Sequence, residues 1–497
     1  MRIRILQGAP LAARTRVSAL LALTCVTALP AQTVDTLAIR GHTRFLADDL
    51  LLGRGTGTEG ERLAAAYIAS QLERLALRPL GTGADYLLPI PLKAAIIGSG
   101  TEVVLARGGT SATFRTGTDF VINTGGSGAF HDFQGGVLFA GPPAVAAARL
   151  RAHGDFRGRV VAVTGTLGGA APALVPALIA GGATGVVVLV PDTAQFQLFV
   201  RSRGDRRFFV AADVQDPVWQ PDLPVLLAGP TLSAAILAGA PLGHSHLEPD
   251  STAPILDLGR QLHARIAAEI RDVQAANLGA LLPGTDPERR HQIVAFTAHY
   301  DHLGVSVPDQ HGDSIYNGFS DNAAGVGMIL AIAEALHLAP PPNPVAFLFF
   351  TGEERGLLGS SYLAARPPFP LNDVRALINL DAGAPAAPPV SWRIAGGTAS
   401  PLGQLATRLA LNAGWKATVS DASPNSDYWP FLARNVPAIF IIPGADWENL
   451  TPAQQKALSQ RWDHYHQPGD AWHPEFPFAG LGRYADYALR IGLAAAR

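Results

Sequence analysis

Cysteine is nearly absent from this chain: Cys25 is the single one in 497 residues. With no second thiol there is no intrachain disulfide and no thiolate metal site. Lysine is scarce as well, at Lys93, Lys416 and Lys456 only. The positive charge rests on arginine and forms no basic patch of the kind that nucleic acid requires. After residue 31 no run reaches about 18 uninterrupted apolar residues, so nothing there reads as a membrane span. No repeat recurs at about 20–50 residues, and no low-complexity tract is longer than Pro340–Pro342. The pattern G-x-S-x-G is missing, which sets aside a serine-nucleophile hydrolase. So is H-E-x-x-H, the helix-borne zinc motif of the thermolysin-like proteases.

What is present favours large ordered cores. Hydrophobic residues make up 48% and charged residues 16% of the chain. The 52 glycines and 39 prolines are dispersed, which argues for many ordered turns and against collagen or disorder. The length suggests three domains at about 150 residues each. Arg2, Arg4, Arg14 and Arg16 precede the apolar run VSALLALTCVTALPA at 17–31. A basic leader, a short apolar stretch and a small-residue end read as a secretory signal peptide at 1–31, cleaved after Ala31. The run is short for a span of about 20 residues. Thr24 before Cys25 fits a lipid-attachment box poorly, so lipoprotein anchoring is not expected. The expected location is periplasmic or secreted. Removing the leader leaves a net charge of about −6.

Residues 32–125 begin with two helical patterns around the Gly/Thr turn GTGTEG, then short strands. At 126–250 the texture shifts to short apolar strands between Gly/Pro turns, among them GRVVAVTG and GATGVVVLVP. His244 and His246 there read as loop histidines, and this stretch reads as a self-contained insert without chemistry of its own. From 251 to 497 strands and helices alternate, as in a sheet sandwiched by helices with its site at the strand ends.

The residues that carry chemistry stand where apolar strands stop. His299 and Asp301 follow IVAFTA, Glu353 and Glu354 follow AFLFFTG, and Asp381 follows ALINL. Asp321 precedes the apolar helix NAAGVGMILAIAEAL, and His466 lies in DHYHQPGD. Ionised carboxylates at such places are costly unless paired or metal-bound. Imidazole and carboxylate are the zinc ligands left when thiolate is lacking. Two histidines and three acids exceed what one tetrahedral zinc with an open position needs. They suit two metals that share one carboxylate and clamp a water about 3.5–4 Å-spaced ions can activate. Of two consecutive glutamates, one can bind metal while the other moves the proton.

Taken together, AHYDHLG, NGFSDNAAG, FLFFTGEERGLLGSSYL, INLDAG, SDYWPF and YHQPGD resemble the co-catalytic dizinc exopeptidases, the bacterial leucyl aminopeptidase and glutamate carboxypeptidase group. Order and spacing agree over roughly 277–475. The stretch FLADDLLLGRGTGTEGERLAAAYIA at 45–69 is similar to the N-terminal portion of that group, and 126–250 resembles its protease-associated domain. The resemblance implies an α/β three-layer sandwich with a mixed, mostly parallel central sheet, plus a small β-rich α/β insert. It implies two Zn2+ per chain and peptide substrates. His299 and Asp381 would hold one zinc and Glu354 and His466 the other, with Asp321 bridging. Glu353 would be the general base and Asp301 the acid that orients His299. Tyr465 would donate to the oxyanion or merely pack. Ser426 and Asp427 would line the substrate cleft or serve structure. Asp470 would support His466 or cap a turn, and His302 reads as structural. The Asp321–Asn322 bond would be cis. An aminopeptidase is favoured; a carboxypeptidase would need a cation such as Arg355 or Arg434 for the substrate carboxylate. A non-catalytic scaffold would have lost ligands, and a glutaminyl cyclase would use one zinc with fewer; the full set speaks against both.

Overall fold

The computed structural model describes residues 33–123, 130–165, 171–203, 205–210, 223–243, 246–247, 253–398 and 400–497. The leader and His244 lie outside the described residues. Two large sheets carry the fold. In the first the strands run Lys416–Ser420, Ser391–Ala395, Ala438–Pro443, Val374–Asn379, Ile293–His299, Val345–Phe350, Ala268–Leu282, Leu87–Ile97 and Arg206–Val210, with Arg78–Pro79 also paired to Ala268–Leu282.

The expected mostly parallel sheet is found at the centre and in the edge pair Ser391–Ala395 and Lys416–Ser420. The four strands from Ala438–Pro443 to Val345–Phe350 are parallel, while the long flank through Ala268–Leu282 and Leu87–Ile97 is antiparallel. Parallel pairing needs a crossover of a dozen or more residues, usually helical. Helices Ala324–Leu338 and Leu358–Ala365 supply such crossovers around Val345–Phe350, and the flank has none of that kind.

The central strands are apolar throughout because both their faces are covered. Successive side chains go to opposite cores. Val294, Phe296, Ala298, Phe347 and Phe349 share a core with helices Thr36–Leu46, Ala324–Leu338 and Ala479–Ala495. Ile293, Ala295, Ala346, Leu348 and Phe350 share another with Leu358–Ala365 and Trp429–Leu432. The result is three layers, helix on sheet on helix. Among the described residues one helix, Phe319–Leu338, is long and apolar enough to cross a membrane, and it lies mostly buried in this arrangement.

The second sheet has the order Thr110–Arg115, Glu102–Arg107, Leu256–Arg265, Phe133–Gly141, Val160–Thr164, Gly185–Leu189, Val225–Ala228, Phe120–Ile122. It is wider than the 126–250 read as an insert. Val103, Leu105, Phe114 and Phe120 pack into its core, so the strands before residue 126 belong to it, as does Leu256–Arg265. Conversely, Arg206–Val210 leaves the insert to extend the first sheet beside Leu87–Ile97.

Candidate metal centre

The central strands of the first sheet aim their carboxyl ends at one crevice, the place where open α/β sheets hold ligands. His299 is the last residue of its strand. Glu353 and Glu354 follow Val345–Phe350 after Thr351 and Gly352, whose φ of +67° turns the chain sharply. Asp381 stands two residues past Val374–Asn379. Asp321 sits in the turn Phe319–Ala323 that leads into helix Ala324–Leu338. The Asp321–Asn322 bond is cis, as the resemblance implies. His466 approaches from a loop across the crevice.

These side chains meet. His299 Nε2 lies 2.8 Å from Asp381 Oδ1 and 3.1 Å from Asp321 Oδ1. His466 Nε2 lies 3.0 Å from Asp321 Oδ2 and 3.3 Å from Glu354 Oε2. Asp321 thus turns one oxygen to each histidine, the disposition that a bridging carboxylate needs. His302, read as structural from sequence, belongs to the same cluster: its Nδ1 is 2.7 Å from Glu354 Oε1 and 3.8 Å from Asp321 Oδ2. The ring is fully buried and neither nitrogen makes a hydrogen bond. Gly318 lets it sit there, since a Cβ at that position would come within 2.6 Å of the ring. The signal available in sequence was a second imidazole three residues beyond the strand-ending His299.

The donor set fits divalent metal. Triads His299–Asp321–Asp381 and His302–Asp321–Glu354 each bring three ligand atoms within 4.8 Å of one another. His466 Nε2 and Glu354 Oε1 are buried and make no hydrogen bond despite their close neighbours, which is how ligand atoms stand when their lone pairs converge on a common point. The electrostatics ask for positive charge there. Burial disfavours a charged His466, yet Glu354 and Asp321 raise its pKa to about 10. Burial likewise acts against charge on His299, and Asp381 and Glu353 still lift it well above its ordinary range.

The adjacent glutamates diverge. Burial pushes the Glu353 carboxyl well above the usual carboxylate range, with His299 pulling the other way and Asp381 and Glu354 adding repulsion. Burial and Asp321 push Glu354 up too, but His466 and His302 bring it down to about 2. Perturbation in opposite directions at neighbouring carboxyls marks two roles.

The supporting residues differ from expectation in part. Asp301 orients His299 by its main-chain oxygen, 3.1 Å from Nδ1, whereas its carboxylate lies 3.7 Å away. That carboxylate accepts from the Thr56 hydroxyl at 2.7 Å and from the Glu353 amide at 3.2 Å. Ser426 and Asp427 do not line an open cleft; both are fully buried. Ser426 Oγ donates to Asp381 Oδ2 and accepts from Asn379 Nδ2. Asp427 lies behind the site, where burial lifts its carboxyl to about 8. Asp470 caps the other ligand's loop: its carboxylate accepts from the amides of Ser320 and Asp321. Tyr465 is 62% exposed and stacks on the His466 ring at 3.8 Å between centroids.

A cavity of about 490 Å3 opens beside Asp321 and Asp381, walled by Pro385, Trp447, Leu458, Trp462, Asp463 and Tyr465. Among the described residues no lysine or arginine lines it. Arg355 instead lies with its guanidinium 5.5 Å from the Phe208 ring and takes part in a separate cavity of about 350 Å3. Arg434 donates to the Pro430 carbonyl at 3.0 Å.

An α/β sheet with such a carboxylate and imidazole cluster at its strand ends can hold divalent metal. Residues 277–491 match the model of peptidase family M28. Leucine aminopeptidase 2 of Trichophyton rubrum is 30% identical over 197 residues, which cover 36% of this chain and 39% of that protein. A probable zinc metalloprotease of Pyrenophora tritici-repentis (strain Pt-1C-BFP) is 32% identical over 109 residues, 22% of this chain and 24% of that protein. The chain therefore spans well under half the length of these curated relatives. Among solved structures, the aminopeptidase from Aneurinibacillus sp. strain AM-1 is similar in fold, with a TM-score of 0.58 over 94% of this chain and 95% of that one at 17% identity.

Proposed function

We propose that this protein is an exported zinc metallo-exopeptidase that removes residues from the free amino end of peptides. The observation that carries the choice of end is the cavity beside Asp321 and Asp381. Beyond Asp321 and Asp381, which the metals would engage, its charged lining among the described residues is Asp463, with no cation, so it suits a substrate ammonium better than a terminal carboxylate. The two arginines that a carboxypeptidase would call on are engaged elsewhere. Trp447, Leu458 and Trp462 make the rest of the cavity wall apolar, which suits an uncharged, bulky first residue.

His299, Asp381 and Asp321 would hold one Zn2+, and Asp321, Glu354 and His466 a second. Bound there, they supply Lewis acidity to the scissile carbonyl and lower the pKa of water. Glu353 takes the water's proton and returns it to the leaving amine. Asp321, with one oxygen toward His299 and the other toward His466, would be the carboxylate that the two share. Ser426 fixes Asp381, and Asp470 fixes the turn that carries Asp321. Tyr465, exposed at the cavity mouth, stands within reach of an incoming substrate. The second sheet corresponds to the protease-associated domain in this reading, and one of its cores takes in Ala95, Ile97 and Phe209 from the first sheet.

The test is turnover of matched peptides by the purified, zinc-loaded chain. A free peptide and its C-terminal amide should be cleaved alike, and the N-acetylated peptide should be spared. Cleavage of the acetylated but not the amidated peptide would reverse the polarity. Full zinc binding with no turnover of any of them would leave a binding protein.

A further inference from the structure

We propose that the loop Arg54–Glu61 is the back wall of the metal centre, and that Thr56 is a positioning residue for Glu353, acting through Asp301. The loop lies more than 200 residues before the segment that matches the peptidase family, and in sequence it shows only a Gly/Thr turn. In the fold it contacts the ends of the strands Ile293–His299 and Val345–Phe350 and the turn before Asp321. The Arg54 guanidinium is 1% exposed and donates to four carbonyls. Two are Tyr300 O at 2.9 Å and Leu46 O; the others are Asn317 O at 2.6 Å and Gly318 O at 2.9 Å. Tyr300 lies between His299 and Asp301, and Gly318 begins the turn of Asp321, so one side chain ties both ligand loops together. In return the His302 amide donates to Arg54 O at 3.0 Å.

Thr56 extends this wall to the proton acceptor. Its hydroxyl donates to Asp301 Oδ2 at 2.7 Å, and Asp301 Oδ1 accepts from the Glu353 amide at 3.2 Å. Asp301 is fully buried. Without the hydroxyl, Oδ2 loses its hydrogen bond at a fully buried position, and rotation of the carboxylate relieves that loss. Rotation releases the Glu353 amide. Glu61 fastens the loop from its far end, accepting from the Gly57 amide at 2.6 Å and from the Thr351 hydroxyl two residues before Glu353. Displacing a reacting group by about 1 Å costs on the order of 100-fold in rate, so the hydroxyl matters to turnover more than to binding.

The inference rests on Glu353 as proton acceptor, and the test separates the two. Thr56→Val keeps the shape and loses the hydroxyl; Thr56→Ala does the same should the valine fail to fold; Thr56→Ser keeps the hydroxyl. With zinc-loaded full chains, kcat should fall about 10–100-fold in the valine or alanine variant. KM and zinc stoichiometry should stay within two-fold of the parent, by the same argument that only the base has moved. Serine should restore kcat to within about three-fold, because the donor is back in place. Normal kcat in Thr56→Val or Thr56→Ala alongside an inactive Glu353→Gln overturns the positioning role alone. Serine as impaired as alanine does the same, as does a loss shared equally by kcat and zinc content. Near-normal kcat in Glu353→Gln overturns the reading of Glu353 and this inference with it.

Discussion

The two sheets share a plan and differ in what stands at the strand ends. Each has four parallel strands at its centre with helices on both faces. In the second sheet those strands run out into Gly141, Gly165, Val190–Pro191 and Gly229. In the first they run out into His299, Glu353 and Asp381. The buried polar groups differ in kind as well. In the second sheet they include arginines that donate to carbonyls, such as Arg149 to Ala140 O and Arg260 to Ile236 O. The first has such an arginine too, in Arg54, and adds imidazoles and carboxylates, several of them without a hydrogen bond. Topology supplies a crevice in both cases, and only the residues placed in it make chemistry.

The largest effect that would break this contrast is at the adjacent glutamates. Glu353→Gln should lower kcat by about 10²–10⁴-fold, the usual share of general base catalysis, and keep both metals. Glu354→Gln should instead lose zinc. Metal analysis of the two variants tells them apart even if both are inactive; exchanged outcomes would exchange the roles. The matching change in the other sheet is Leu226→Ala, at a fully buried position. It should cost about 2–5 kcal/mol of stability, as leucine-to-alanine changes in cores do, with kcat per folded molecule unchanged. A kcat that falls with stability would mean that the second sheet shapes the site.

How far the sequence discloses this contrast depends on whether a signal is local. His299, Asp321, Glu353, Glu354, Asp381 and His466 are legible because each interrupts or ends an apolar run, and a charged group at such a place needs a reason. The three layers are legible from the α/β alternation. Sheet boundaries are not, since Leu256–Arg265 pairs with Glu102–Arg107 across some 150 residues and no local pattern specifies that partner. Ser426 and Asp427 look like loop residues beside SDYWPF, and their burial against Asp381 follows from packing alone. Thr56 reads as one more turn residue until Asp301 is brought to it.

A smaller effect sharpens the contrast within the first sheet. His302→Leu removes an imidazole that faces Glu354 Oε1 without touching the other metal position. It should weaken one zinc by about 10–100-fold, the range for groups that orient metal ligands, and leave the other unchanged in a competitive chelator titration. His302→Asn, which can keep a donor near the Nδ1 position, should recover part of the loss. Equal weakening of both metals would point to a general disturbance of the crevice.

The smallest effects lie in two carboxyls that respond to pH with opposite sign. Burial, reinforced by Asp301, raises Glu61 to about 8 in the fold, against about 4.3 in an unfolded chain. Between those values the native state holds a proton that the unfolded state has released. Stability from this group is therefore full below about pH 4.3 and declines as pH rises toward 8. Glu61→Gln is neutral throughout, so its unfolding temperature should gain on the parent's from pH 5 to pH 8. Asp257, on the second sheet, is lowered by its hydrogen bond to Arg159, so its contribution is present at neutral pH and is lost as pH falls through its native pKa. Its carboxylate is 58% exposed, and solvent screening limits such a pair to about 0–1 kcal/mol. Asp257→Asn should thus lower the unfolding temperature slightly at pH 7, and the deficit should vanish in acid. A Glu61→Gln advantage that is the same at pH 5 and pH 8 would mean that Glu61 is ionised in the fold, and the wall behind the metal centre would then carry a full negative charge beside Asp301.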